Sequence, residues 1–400
     1  MDQEFLTARQ AATALGVSRS TLYAYVSRGM LRSEAVPGDP RARRYGRAEV
    51  ERLLSRKALR RDPEGSVPTA LDWGTPVLES AITLIEGGRL FYRGHDALLL
   101  ARRWSVEEVA ALLWTGDSED STHLFAADRA PQVELPAAAD RLEPVERCQV
   151  ALPLAAVDDF AAWDLRPSAL ALTGARIVRL LISVVSGRAT SPAGLVASLD
   201  QDARPGAAAA LRGALILCAD HELNVSSFTA RCVASAESTL YDVVGAGLGA
   251  LRGRRHGGCS SQVEALMREI EGAGEVRRVL ADRLRRGEEI PGFGHPLYPA
   301  GDPRAKLLLE LAGAVRGGAA TLEPIDRLIT AARALIGEEP TVDVALVALA
   351  RVLELPPGGP VALFALGRSL GWIGQAIEQY GTGRLIRPRA RYSGPRQGEA

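Results

Sequence analysis

Between residues 219 and 306 the chain reads ADHELNVSSFTAR (219–231), RRHGGCSSQ (254–262) and IPGFGHPLYPAGDPRAK (290–306), three polar or glycine-marked breaks between apolar segments of helical spacing. Three of the five histidines, His221, His256 and His295, stand in these breaks at helix edges, where a side chain faces a cleft instead of a core. They are 35 and 39 residues apart, so only a tertiary fold brings them together. The His-Gly-Gly run at 256–258 and the pair Gly292 and Gly294 allow close backbone approach to a ligand. Asp302, Arg304 and Lys306 place charge just downstream. Taken singly, each histidine reads as a loop or capping residue; the set reads as chemistry.

Working outward, 400 residues exceed what one hydrophobic core serves, so at least two units are expected. The net charge is zero and names no partner, but residues 1–61 hold 13 Arg and Lys against 6 Asp and Glu. Lys57 and Lys306 are the only lysines, so an isolated Arg says little about anion binding. Cys148, Cys218, Cys232 and Cys259 show neither metal spacing nor the density of a disulfide framework, which fits a reducing compartment. The start, MDQEFLTARQ, lacks the apolar run of a signal peptide. Runs such as IVRLLISVVSG are too short or too interrupted by Arg to span a bilayer. A cytoplasmic, non-membrane protein is expected.

The N-terminal stretch reads as helix, Gly16 turn, helix, with Thr7 and Ala8 opening the first and Ser18 capping the second. An Arg-, Gly- and Pro-bearing segment from Leu31 to Tyr45 is expected to form a short wing before RAEVERLLSRK returns to helix. Pro63, Gly65 and Pro68 mark a linker. SAITLIEGGRLFYRGHD then reads as a hairpin about Gly87-Gly88, and SVEEVAALLWTGD as a helix with a capping box at Ser105 and Glu108. Helical segments dominate from there on, with His95 and His123 read as structural.

The three central motifs, continued by PTVDVALVAL (340–349), ALGRSLGWIGQAIEQ (365–379) and RLIRPRARYSG (384–394), resemble the citrate synthase family from about residue 70 onward. The N-terminal segment is similar to the winged helix-turn-helix of MerR-type regulators and excisionases. The resemblance implies a mostly α fold: a small winged helix-turn-helix domain (1–57), a linker (58–68), a large helical domain (69–265 with 363–400) and a small helical domain (266–362).

It further implies condensation of an acyl-CoA, acetyl or propionyl, with oxaloacetate, followed by thioester hydrolysis, with the acyl-CoA as co-substrate and no other cofactor or metal. Such a reaction needs a base for the methyl proton and a donor for the oxygen that gains charge. By resemblance the base is Asp343, the donor His256, and His295 polarises the oxaloacetate carbonyl. Arg304, Arg368 and Arg387, with His221, would hold the dianion, because guanidinium groups pair with carboxylates. Arg368 stands in an apolar helical run, so an anionic ligand or a carboxylate partner is expected for it. Arg387 would reach a neighbouring subunit's site, which implies at least a homodimer. On local sequence alone Asp343 also reads as a helix N-cap.

Where the family commonly continues His-Gly-Gly with Ala-Asn, Cys259 and Ser260 stand here. Pro296 and Pro299 occupy a loop that often carries basic residues, and Val344 replaces an aromatic. DNA, if bound, would meet Ser20, Thr21 and Tyr23 through bases and Arg19, Arg28, Arg41, Arg43 and Arg44 through phosphates. Rival readings are a metal site on the three histidines, a Cys259 nucleophile, and a transcription regulator whose synthase-like part senses a metabolite.

Overall fold

The computed structural model describes residues 5–27, 31–36, 39–47, 50, 78–126, 132–191, 193–200, 203–390 and 392–394. Two compact units result, Met1–Glu79 and Ser80–Ala400.

In the first unit, strand β1 (Phe5–Thr7) leads into helix α1 (Ala8–Leu15), which starts where Thr7 and Gln10 form a capping box and ends at Gly16 in the left-handed region. Helix α2 (Arg19–Ser27) follows, and the Ser18 hydroxyl accepts the Thr21 N–H, as expected of its N-cap. Strands β2 (Glu34–Val36) and β3 (Asp39–Gly46) pair antiparallel, and β3 also pairs with β1, so the expected wing is a hairpin in a three-stranded sheet. Leu6, Ala11, Ala12, Leu15, Leu22, Leu31, Tyr45 and Val50 form a core of their own. The linker 58–68, Arg28 and the helix expected after residue 50 lie outside the described residues.

The second unit opens with the hairpin β4 (Thr83–Glu86) and β5 (Arg89–Tyr92), turning at Gly87 and Gly88 with φ of 59° and 72°, and closes its sheet with β6 (His95–Asp96). The buried Tyr92 hydroxyl donates to the Ile216 carbonyl at 3.0 Å, pinning the hairpin to the end of a core helix. Helices α3 (Ala97–Arg103), α4 (Val106–Thr115), α5 (Ser121–Leu124), α6 (Pro144–Asp158), α7 (Pro167–Ser186), α8 (Leu195–Leu199), α9 (Ala207–Leu217), α10 (Val225–Ala234) and α11 (Leu240–Leu251) follow. The chain then continues through α12 (Gly258–Ala273), α13 (Val276–Arg285), α14 (Pro303–Ala314), α15 (Gly318–Ile336), α16 (Val342–Val352) and α17 (Gly359–Thr382). The Ser105–Glu108 capping box is present at α4. Helix α7 is long and apolar enough to cross a bilayer, yet most of it is buried inside the protein as a core helix.

Helix α17 organises the unit. It packs against α4, α7, α9, α10, α11, α12 and α16, and nearly every residue from Gly359 to Ala376 is buried. Close crossing is possible because Gly367 and Gly371 face the carbonyls of Leu215 and Ala219, where a Cβ would collide. Between these glycines lies Arg368, delivered by the crossing to the end of α9. The expected boundaries 265/266 and 362/363 fall inside α12 and α17.

Candidate active site

A short antiparallel contact brings the His295 and Asp343 segments together. Phe293 bridges to Pro340, the Gly294 N–H donates to Glu339 O (2.9 Å) and the Thr341 N–H to Gly292 O (2.8 Å), so the segment leading to His295 lies along the segment leading to Asp343. Gly292 and Gly294, with φ of 84° and 77°, make this possible; a Cβ on Gly292 would strike Val263 and Val344. Val344 is itself fully buried against that glycine, so position 344 supplies core packing here.

Asp343 lies in the first turn of α16, whose N-cap is Thr341 and not Asp343: the Thr341 hydroxyl accepts the Asp343 N–H. The carboxylate of Asp343 is therefore left for other work. It accepts hydroxyl protons from Ser260 (Oδ1, 2.7 Å) and Thr341 (Oδ2, 3.1 Å). Burial pushes its pKa up from the ordinary carboxylate value, and the two hydroxyl bonds work against that rise.

His295 accepts the Leu297 N–H on Nδ1 at 3.2 Å, so in the neutral ring the proton is on Nε2. Its pKa is brought down to about 4 by burial and by the Arg304 charge, which keeps the ring neutral near pH 7. His221 lies edge-on to His295 with ring centres 5.2 Å apart, and its Nε2 is 3.0 Å from the Tyr298 hydroxyl. Burial, then Arg304 and Arg368, hold His221 neutral as well. The residue after it, Glu222, has φ of 53°, a conformation unusual for a side chain of its size.

His256 precedes α12 in a tight turn in which a Cβ on Gly258 would meet the carbonyls of Arg252 and Gly253. Its Nε2 is 2.8 Å from Ser226 Oγ, which also receives the indole N–H of the fully buried Trp372 at 3.0 Å. Ser226 has one hydroxyl proton for two acceptors, His256 Nε2 and Asn224 Oδ1 (2.8 Å). When it goes to the histidine, Nδ1 carries the ring proton. Burial lowers the pKa of His256 to about 3.

The cations are arranged differently from one another. Arg304, 3% exposed, is clamped by Asp302. Arg368, 1% exposed, donates Nε–H to Cys218 O at 2.6 Å and lies over the Phe364 ring, while its Nη1 is buried without a hydrogen-bond partner. Burial lowers the proton affinity of Arg368 and the nearby Asp220 opposes that, while the Asp220 carboxylate itself accepts from Thr83, Gln375 and Ser227. Of the two expectations for Arg368, a direct carboxylate partner is absent among the described residues and a need for an anion remains. Arg387 is exposed on the segment after α17.

Neither rival chemistry is favoured by the geometry. Among the described residues no three His, Cys, Asp or Glu side chains come together as metal ligands do. Cys259 is pushed up to about 12 by burial and by Asp343, which leaves it protonated and a poor nucleophile.

The chain from residue 70 to 389 matches the family model described as citrate synthase, C-terminal domain. The chain belongs to the citrate synthase family. The synthase is 32% identical to the citrate synthase of Haloferax volcanii over 80% of this chain and 94% of that one. It is 29% identical to a 2-methylcitrate synthase of Mycobacterium tuberculosis, over 77% and 85%. Among solved structures, citrate synthase from Thermotoga maritima matches with a TM-score of 0.67 and 26% identity, covering 82% of this chain and 96% of that one. The Thermoplasma acidophilum citrate synthase, solved with carboxymethyl coenzyme A and oxaloacetate, shares the fold at a TM-score of 0.69 and 23% identity, over 82% and 96% of the two chains. Residues 5–58 match a helix-turn-helix domain model. The synthase is thus an enzyme of the citrate synthase type with a helix-turn-helix domain in front of it.

Several groups at this site were not singled out from sequence: Ser226, Asp220, Tyr298, Phe364 and Thr341; Ser260 was noted only as a departure after His-Gly-Gly, without its bond to Asp343. Tyr298 had a signal, lying three residues after His295 in the same glycine-marked break. Phe364 and Ser226 look like ordinary helix residues, and nothing local distinguishes them.

Proposed function

We propose that the synthase condenses acetyl-CoA with oxaloacetate to give citrate and CoA through an enol. Asp343 takes the proton from the acetyl methyl group, and His256 donates to the thioester oxygen as it gains charge. His295, neutral and protonated on Nε2, donates to the oxaloacetate ketone and makes its carbon electrophilic. Arg304, Arg368 and His221 hold the carboxylates, and Arg387 comes from a second subunit. The observation that carries the reading is the buried Nη1 of Arg368, a cationic donor without a partner among the described residues beside neutral histidines and a carboxylate base. A buried guanidinium with an unused donor is costly until an anion meets it.

The test is thiol release from acetyl-CoA and propionyl-CoA, with and without oxaloacetate, in wild type and Asp343→Ala. Release that needs oxaloacetate and falls by roughly 10²–10⁴-fold in the variant is expected. Preference for propionyl-CoA would move the activity to 2-methylcitrate synthesis, and no release from either thioester would overturn the enzyme reading.

A second role, DNA binding, is favoured by the surface of the first unit. Tyr23 is 51% exposed on α2, with Arg19 and Ser20 exposed on the same helix and Arg43 exposed on β3. Not every expected contact is equally disposed: Ser20 and Thr21 turn their hydroxyls to Ser18 at 2.7 and 2.9 Å, and Arg44 is paired with Glu34 and lies over Phe5. Arg28 and the side chain of Arg41 lie outside the described residues. A gel shift of the full chain that weakens steeply with salt is expected; none at low salt would sink this role.

A further inference from the structure

We propose that Ser260 is the positioning residue of the base Asp343, tying it to the helix that begins just after His256. This rests on the condensation reading above.

Two hydroxyls reach the Asp343 carboxylate, and they are not equivalent. The Thr341 proton has two acceptors, Gly292 O at 3.2 Å and Asp343 Oδ2 at 3.1 Å, and the same oxygen already caps α16. A single proton cannot serve both acceptors fully. Ser260 is fully buried, and among the described residues its hydroxyl has Asp343 Oδ1 as its one acceptor, at 2.7 Å. It is therefore the shorter and undivided bond. A hydroxyl donated to a carboxylate favours the charged form. That is what a base needs in a site where burial alone would leave it protonated.

Position in the chain gives the bond a second consequence. Ser260 stands four residues after His256, in the first turn of α12, and Asp343 stands in the first turn of α16. Their hydrogen bond joins the two elements that carry the base and the proposed oxygen donor. Methyl deprotonation and oxygen stabilisation must happen together, so the relative placement of these elements sets the rate. Where the family commonly has Asn, this chain has a shorter side chain whose one donor goes to the base.

The experiment compares Ser260→Ala, Ser260→Thr and Ser260→Cys with wild type in the full chain. It reads the pH profile of kcat, KM for oxaloacetate, and the ¹³C titration of Asp343 in the ligand-free protein. Ser260→Ala is expected to lower kcat by roughly 10- to 100-fold with oxaloacetate KM unchanged, and to move the acid limb and the Asp343 titration up by about one pH unit. Ser260→Thr should restore both, and Ser260→Cys, a weaker donor, should fall between. If the alanine variant does not fold, the cysteine variant carries the same comparison. An unmoved Asp343 titration, or a threonine variant no better than alanine, overturns the proposal. Wild type without oxaloacetate-dependent thiol release overturns the condensation reading instead, and the ligand-free titration still decides the role of Ser260.

Discussion

Asp302 and Arg304 form a buried two-pronged ion pair: Nε meets Oδ1 at 2.9 Å and Nη2 meets Oδ2 at 2.8 Å, with both side chains at 3% exposure or less. The same carboxylate caps α14 through the Arg304 N–H and accepts the Val342 N–H at the start of α16. One aspartate thus fixes Arg304, the cation proposed to hold substrate, and the two helix starts beside it. Burial raises its proton affinity, but the Arg304 charge and the N–H donors outweigh that and leave its pKa below the ordinary value.

Asp302→Ala removes the counter-charge and leaves Arg304 uncompensated, which should cost about 3–5 kcal/mol of stability. Chemical denaturation at neutral pH checks this. Because the folded pKa is depressed, the contribution is present above the unfolded pKa and lost as pH falls through the folded one, so the variant and wild type should converge in acid.

His295 and His256 are held neutral with folded pKa values of about 4 and about 3, against 6.5 for the free side chain. Below pH 6.5 the unfolded chain binds protons that the folded chain refuses, so stability should fall as pH drops from about 6.5 toward 4. Replacing His295 by Asn should flatten that part of a denaturation-against-pH curve. The acid limb of kcat should then belong to Asp343, whose proton affinity is raised by burial, and not to the histidines.

Arg368→Met removes a desolvated cation that has an unused donor, but also its bond to Cys218 O and its charge beside the buried Asp220, so the ligand-free protein should be moderately less stable than wild type. The rise in melting temperature on adding oxaloacetate should disappear. A variant that keeps the oxaloacetate shift would show that Arg368 is structural.

Arg387 is exposed in the single chain and is proposed to complete a partner's site. Arg387→Ala and Asp343→Ala should each be inactive alone. Unfolded and refolded together, they should regain about a quarter of wild-type activity, because half of the sites in mixed dimers are intact. No recovery, with mixed dimers demonstrated, would place Arg387 outside the site.

The histidine-bearing breaks, the helix caps at Thr7 and Ser105, and the Gly87-Gly88 hairpin are written in short stretches of chain. Local sequence suffices because each depends on one turn of backbone geometry or on one motif. The citrate synthase and helix-turn-helix resemblances were carried by ordered motifs of the same kind. What local sequence does not encode is which distant groups meet. Asp343 looks like a helix cap until the fold shows Thr341 in that place, and Ser260 and Ser226 look like helix-surface serines until they are found on Asp343 and His256. Arg368 is one of many arginines in the chain. Only the close crossing of α17 over α9, which Gly367 and Gly371 allow, buries its guanidinium with a donor left over. Hydrogen-bond partners and desolvation are properties of the packed state, so the chemistry of these residues was decided by tertiary structure, while the places where chemistry could occur were already set by the chain.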